Sequence, residues 1–225
     1  MRYPGGKGKC YQRLINLMPP HHTYIESHLG GGAVMRNKKP AARSIGIDLD
    51  PKVISRWQME LPAACELVEA DALAFLQDYD FQGDELVYVD PPYAPETRRR
   101  DKVYTCDYTL DDHLRLLDTL VGLPCKVMLS GYDNELYNTR LAEWRKVSFL
   151  AKTHTEVREE CVWLNFGAQQ QLHDTRYLGH TFRDRQTIQR RQDRLRSRID
   201  RMDPVERNDL LLWMHEAYGS PEEVA

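Results

Sequence analysis

The chain has 225 residues, is 41% hydrophobic and carries a formal net charge of -3. That describes a globular protein with room for one good-sized core and an appendage, and it excludes a globally basic nucleic-acid binder, so any basic surface must be local. Five cysteines without a C-x-x-C pair or zinc spacing read as reduced thiols of a cytoplasmic protein, the eight histidines form no metal motif, and there is neither a signal peptide at Met1-Arg2-Tyr3-Pro4 nor an apolar run able to cross a bilayer, so neither metal nor membrane is expected.

Thr23-Tyr24-Ile25-Glu26 predicts a short strand, followed by Gly30-Gly31-Gly32 and a helix from Ala33. Arg43 to Asp48 predicts a second strand, and Asp50-Pro51 then starts a helix with Asp as its cap and Pro at the first helical position. Leu67 to Ala70 is a weaker third strand ending at Asp71, before a helix through Leu76. Glu85-Leu86-Val87-Tyr88-Val89 predicts a buried fourth strand. Leu110 to Leu120 is an amphipathic helix with Leu114, Leu117 and Leu120 on one face, and Lys126 to Ser130 is a fifth strand. Glu160 to Phe166 is a last strand, alternating enough for an edge or antiparallel position. Strands alternating with helices predict an α/β fold built on a doubly wound, mostly parallel sheet.

The most informative residues are Asp90-Pro91-Pro92-Tyr93. Two prolines cannot continue a central strand, so the chain leaves the sheet there. That puts an acid, a backbone carbonyl and an aromatic ring at a strand's carboxyl end, where open α/β sheets bind ligands. The acid and the carbonyl can each accept one hydrogen of an exocyclic amine, and a tyrosine ring can stack on a flat heterocycle. Alone, the tetrapeptide also describes an ordinary strand-to-loop exit. Its neighbours decide. Gly30 and Gly32 sit where a tight turn lets a ligand approach the backbone. Asp48, sixteen positions after Gly32, suits ribose hydroxyls. Met35 interrupts the G-x-G-x-x-G fingerprint, which argues against NAD and leaves room for another adenosine-bearing ligand.

On these motifs, in this order, the chain resembles the Dam-like N6-adenine DNA methyltransferases, which use S-adenosylmethionine. The resemblance spans residues 2 to 166 or so. Arg2-Tyr3-Pro4-Gly5-Gly6-Lys7 resembles the N-terminal motif that packs on the methionine part of the cofactor. Glu26 to Val34 resembles the glycine motif, with Ser27-His28 in place of the usual Pro-Phe. Asp48 matches the ribose acid, Asp71 the acid that reads the cofactor's adenine amine, and Asp90, Pro91, Pro92 and Tyr93 the catalytic motif. The resemblance thus implies a cofactor site of Tyr3, Lys7, Glu26, His28, Gly30, Gly32, Asp48, Asp71, Ala72 and Asp90. In this family the target recognition domain lies between the adenine-reading acid and the catalytic motif. Here Asp71 and Asp90 are nineteen positions apart, so that domain is missing or moved.

The resemblance also implies DNA as partner, with Tyr93 stacked on a flipped base. Arg98, Arg99, Arg100 and Lys102, followed by Tyr104 and Tyr108, suit phosphate clamping and a stacking plug, or else a solvated loop. The stretch from Arg183 to Arg201 holds eight arginines against three aspartates. With Ile188, Leu195, Ile199 and Met202 close to one face it predicts an amphipathic helix. Arg190, Arg191 and Arg194 then track a duplex backbone, or the helix docks on the core or pairs with a second subunit as a homodimer. Asp203-Pro204 starts a further helix carrying Leu210, Leu211, Trp213 and Met214 and stopping at Gly219. The expected division is a catalytic domain over 1–168 and a basic helical extension over 169–225. The motif alone leaves RNA N6-adenine and DNA N4-cytosine methylation open, as well as a non-catalytic nucleic-acid-binding protein that retains the cofactor pocket.

Overall fold

The computed structural model describes residues 6–8, 10–60, 65–93, 107–152 and 157–219. Seven strands form one sheet: β1 (Thr23–Glu26), β2 (Arg43–Asp48), β3 (Glu66–Glu69), β4 (Glu85–Val89), β5 (Lys126–Gly131), β6 (Arg145–Lys152) and β7 (Val157–Leu164). Their order is β3-β2-β1-β4-β5-β7-β6. The pairs among β1 to β5 are parallel, whereas β7 runs antiparallel to both β5 and β6. This is the doubly wound, mostly parallel α/β sheet that the alternation of strands and helices predicts.

Side-chain parity assigns each strand residue to one of two cores. Ile25, Val87, Val89, Val127, Leu129 and Trp163 face α4 (Ala72–Asp78), α5 (Leu110–Gly122) and α6 (Glu135–Arg140). Tyr24, Leu86, Tyr88, Met128, Val162 and Leu164 face α1 (Tyr11–Ile15), α2 (Ala33–Asn37) and α3 (Pro51–Glu60). β4 is buried along its whole length, as a central parallel strand covered on both faces must be.

Helix starts follow the expected chemistry. The Asp50 side chain accepts from the Lys52 N–H at the head of α3. Thr109 and Asp112 close a capping box on α5. On α5 the buried residues are His113, Leu116, Leu117 and Leu120, so Leu114 lies beside the buried face and not at its centre.

The expected last strand corresponds to β7, which is antiparallel but not at the edge. The edge is β6, a strand not anticipated above, and neither were α1 and α6. The chain divides into two compact units, Met1–Tyr177 and Leu178–Ala225. The first runs past the expected boundary at residue 168 because His173 to Tyr177 is tied to it. The His173 N–H donates to the Met18 carbonyl at 3.0 Å, Asp174 accepts from the Lys39 N–H at 2.8 Å, and Arg176 donates to the Asn37 carbonyl at 2.8 Å.

The second unit contains α7 (Phe182–Asp200) and α8 (Pro204–Tyr218). Thr181 and Asp184 form a capping box at the head of α7, and Asp203 caps α8 with Pro204 at the first helical position. Neither helix has a fully buried residue. Ile188, Ile199 and Met202 are half-shielded as the helical face predicts, whereas Leu195, assigned to that face, is exposed.

Candidate functional site

The strand order reverses between β1 and β4, and at such a point the connections leave on opposite faces and open a crevice beyond the carboxyl ends. A cleft with about 880 Å³ of empty space, open to solvent, lies there. The carboxyl ends of β1, β2, β3 and β4 deliver Glu26, Asp48, Asp71 and Asp90 to its walls, and Gly30, Gly32, Ala72, Pro91 and Pro92 complete them.

The glycine turn is built to bring backbone close to a ligand. Gly30 and Gly32 have φ of 45° and 55°, left-handed values that cost other residues about 1–2 kcal/mol. A Cβ on Gly32 would lie 2.0 Å from the Trp57 ring. That indole is fully buried and donates to the Gly30 carbonyl at 3.0 Å. On the opposite side the Gly30 N–H donates to Asp48 Oδ2 at 2.8 Å, while Asp48 Oδ1 accepts from the Asp50 N–H at 2.9 Å. Burial raises the Asp48 carboxyl above its usual range, against these hydrogen bonds. Asp71 caps α4, accepting from the Ala74 N–H at 3.0 Å.

Glu26 is almost completely enclosed. Its Oε2 accepts from the Tyr24 hydroxyl at 2.9 Å and the Met35 N–H at 3.0 Å. Burial nevertheless pushes its carboxyl up to about 8. His28 is hydrogen-bonded through Nδ1 to the Ser27 hydroxyl at 3.0 Å and through Nε2 to the Tyr108 hydroxyl at 2.9 Å. Burial pushes it down to about 3, so the imidazole is neutral at physiological pH and offers one donor and one acceptor. Tyr108, assigned above to nucleic acid, therefore lines the same cleft, its ring 5.5 Å from that of His28.

Asp90 sits in a charged cluster. Lys7 Nζ donates to Asp90 Oδ1 at 2.7 Å, lies 2.9 Å from Glu160 Oε1, and donates to the Tyr93 hydroxyl. Lys7 and Glu160 are 5% and 4% exposed; both charges are inside the protein. Burial alone would lower the Lys7 ammonium, but Asp90 and Glu160 outweigh it and hold Lys7 well above its ordinary value. Burial pushes Asp90 up to about 6, opposed by Lys7 and reinforced by Glu160. The Tyr93 ring packs on Tyr132 at 4.3 Å, and the Arg158 guanidinium lies 4.4 Å from the centre of the Tyr132 ring. The Tyr93 ring is thus covered in part by Tyr132, and Lys7 Nζ also lies 4.8 Å from its centre.

Lys7, assigned by resemblance to the cofactor, lines the cleft, but its ammonium is committed to Asp90, Glu160 and Tyr93. Glu160 was not singled out in the sequence. Its signal was parity: it lies on the same sheet face as Val162 and Leu164, an inward position where a charge is unexpected. Arg190, Arg191 and Arg194 are exposed on α7. Tyr3, Arg98, Arg99, Arg100, Lys102 and Tyr104 lie outside the described residues. Only α4 and β4 occupy the chain between Asp71 and Asp90. Among the described residues no group of three or more His, Cys, Asp or Glu side chains is arranged to hold a metal ion, and no helix is long and apolar enough to cross a membrane.

No family model matches the chain, and no curated protein matches it. Among solved structures it is similar to the N-methyltransferase NodS from Bradyrhizobium japonicum in complex with S-adenosyl-L-homocysteine, at 15% identity over 69% of this chain and 85% of that one, with a TM-score of 0.49. It is similar to the 23S rRNA methyltransferase ErmE at 13% identity over 73% and 69%, TM-score 0.47. It is also similar to an rRNA methylase from Streptococcus thermophilus at 12% identity over 73% and 97%, TM-score 0.44.

Proposed function

We propose that the chain is an S-adenosylmethionine-dependent methyltransferase acting on N6 of adenine in DNA, of the Dam-like kind but without that family's usual recognition domain. The observation that carries this reading is the convergence of Glu26, the glycine turn, Asp48, Asp71 and Asp90-Pro91-Pro92 on one cleft at the strand-order reversal, with Tyr93 held beside it through Lys7. The residues fit such a cofactor: the turn lacks the Cβ that would bar close approach, and Asp48 and Asp71 offer oxygens for hydroxyl and amine groups. When bound, S-adenosylmethionine supplies an electrophilic methyl group on a sulfonium.

The chain's own residues do the rest. The amino nitrogen of adenine has its lone pair delocalised into the ring and is a poor nucleophile. The Asp90 carboxylate and the Pro91 carbonyl accept its two N–H groups and draw it toward tetrahedral geometry. The positive charge that develops on nitrogen is then stabilised electrostatically by the Asp90 carboxylate, fixing the amine removes orientational freedom before reaction, and the methylated nitrogen, now acidic, gives up one proton to solvent. Asp90 must be ionised to accept, so activity falls below the value of about 6 at which it takes up a proton. A flipped base stacks beside Tyr93 and Tyr132.

The exposed arginines of α7 suit contacts to phosphates, which position a duplex without reading its sequence, so the target site is short or relaxed. The apolar side chains on α8, with Leu212 64% and Trp213 53% exposed, suit a second copy of the chain.

The test is transfer of a labelled methyl group from S-adenosylmethionine to unmethylated duplex DNA, single-stranded DNA and structured RNA, followed by nucleoside analysis. N6-methyladenine mainly in DNA is the expected result. Label in RNA or in cytosine moves the substrate, and no label with the cofactor still bound leaves a binding protein. Asp90→Ala should abolish transfer, by about 100-fold or more, while calorimetry still detects cofactor binding. Near-wild-type turnover in that variant would sink the mechanism.

A further inference from the structure

Glu160 has no part in the reaction as derived so far, yet it is a buried carboxylate beside the reacting acid. β7 is otherwise apolar at the inward positions of this face, which Val162 and Leu164 fill. An acid there costs desolvation that a packed Val would not. It is accommodated because three strands bring Glu26, Asp90 and Glu160 to the same face of the sheet, and Lys7 enters from the N-terminal segment to meet two of them. The Lys7 ammonium donates to Asp90 Oδ1 and to the Tyr93 hydroxyl and pairs with Glu160 Oε1 at 2.9 Å. The Tyr93 hydroxyl in turn donates toward Glu160 Oε1 at 3.3 Å.

We propose that Glu160 is a positioning residue for Asp90. It anchors the Lys7 ammonium and the Tyr93 hydroxyl so that Lys7 occupies one oxygen of Asp90 and leaves the other to the target amine. This rests on the proposed methylation of an exocyclic amine. Without Glu160 the ammonium keeps Asp90 and Tyr93 as partners but loses its fixed third point, and Asp90 loses the orientation that its hydrogen bond to Lys7 imposes.

The arrangement has an electrostatic signature of opposite sign on its two members. Glu160 raises Asp90 and Lys7 lowers it. The other titratable groups that feel the Asp90 charge are Glu26 and Tyr24 from β1, Tyr88 from β4, Tyr93 from the loop after it, Cys10 before α1 and, from the opposite face of the sheet, Tyr137 of α6. Burial holds the four tyrosines above their ordinary values and Cys10 at about 12, and Glu26 titrates at about 8. Asp90 at about 6 is thus separated from all of them.

Two measurements on the full chain test this. The Asp90 carboxylate is titrated by carbon-13 NMR in the wild type, Glu160→Gln and Lys7→Met, without any ligand. Methyl transfer is followed across pH in the same proteins, with cofactor affinity measured by calorimetry. Glu160→Gln should move the Asp90 titration and the acid limb of kcat to lower pH. It should lower the maximal kcat about 10- to 100-fold and leave cofactor affinity within about 2-fold, and Glu160→Asp should restore part of the rate. Lys7→Met should move the Asp90 titration to higher pH. An active wild type whose Glu160→Gln variant keeps its kcat and pH profile overturns the proposal and spares the proposed function. Asp90 titrations that do not move, or that move in the same direction in both variants, overturn it as well. A wild type that methylates no nucleic acid defeats the proposed function, while the titration still decides whether Glu160 governs Asp90. Should Glu160→Gln fail to fold, Glu160→Asp decides: a lowered kcat with unchanged cofactor affinity supports the proposal, and a kcat and Asp90 titration equal to wild type overturn it.

Discussion

At the scale of single residues, burial raises the carboxyls of Glu26, Asp48 and Asp90 at the cleft. Glu26 is the most informative for stability. Its folded value of about 8 lies above the ordinary 4.5. The fold therefore favours its protonated form, and the associated stability is complete below 4.5 and is lost as pH rises through about 8. His28 has the opposite sign, because burial lowers it to about 3; its contribution is lost only as pH falls below its ordinary 6.5. The window between 6.5 and 8 therefore isolates Glu26. Urea unfolding of the wild type should weaken there by up to about 1.4 kcal/mol per pH unit. Glu26→Gln, which keeps an oxygen for Tyr24 and Met35, should show a flatter profile over the same range. Parallel profiles would mean that Glu26 is ionised in the folded protein at neutral pH.

At the scale of elements, one side chain often serves both a helix and the cleft. Asp71 caps α4 with one oxygen and, on the proposed reading, meets the cofactor's adenine amine with the other. The two roles separate by substitution. Asp71→Ala should lose about 1 kcal/mol of stability together with roughly tenfold in cofactor affinity. Asp71→Asn, an equally good cap, should keep the stability and lose the affinity. Thermal melts with calorimetry on the same samples distinguish them.

The parallel half of the sheet was legible because its strands are short apolar runs ended by Gly, Asp or Pro, and β1, β2 and β4 lie where those runs predict. β6 was harder. Arg145, Lys146 and Lys152 give it the polar look of a loop, although Val147 and Phe149 alternate toward the core. An edge strand needs apolar residues on one face only, and charge on its rim discourages further pairing. The acids at the strand ends were legible for the same reason as the strands, being positions where an apolar run stops. The pairing of Lys7 with Glu160 was not, because it depends on two segments far apart in sequence meeting at Asp90. Tyr108, assigned to nucleic acid by its proximity to the basic run at residues 98–102, also lines the cleft, with its hydroxyl hydrogen-bonded to His28.

At the scale of the whole molecule, the cleft and the arginine-rich helix α7 belong to separate units. The first carries the sheet and the cleft, and the second is an arginine-rich helix followed by an apolar one. If α7 binds a duplex through phosphates, replacing Arg190, Arg191 and Arg194 together with Gln should weaken binding to all sequences about equally. It should also reduce the slope of log affinity against log salt by about 3. Methyl transfer to a short single-stranded substrate should change far less. A loss confined to one target sequence would assign these arginines to base reading.

The indole beneath the glycine turn ties two positions of the chain into a single choice. Trp57 occupies the volume that a side chain at position 32 would need, and its N–H fixes the carbonyl of Gly30. Neither residue is free to change alone: a larger residue at 32 must expel the ring, and a smaller one at 57 leaves a void under the turn and an unanchored carbonyl. Descendants of this chain are therefore expected to keep the pair or to replace both members together, and a designer who wishes to reshape the cleft must begin with Trp57 and not with the glycines that face it.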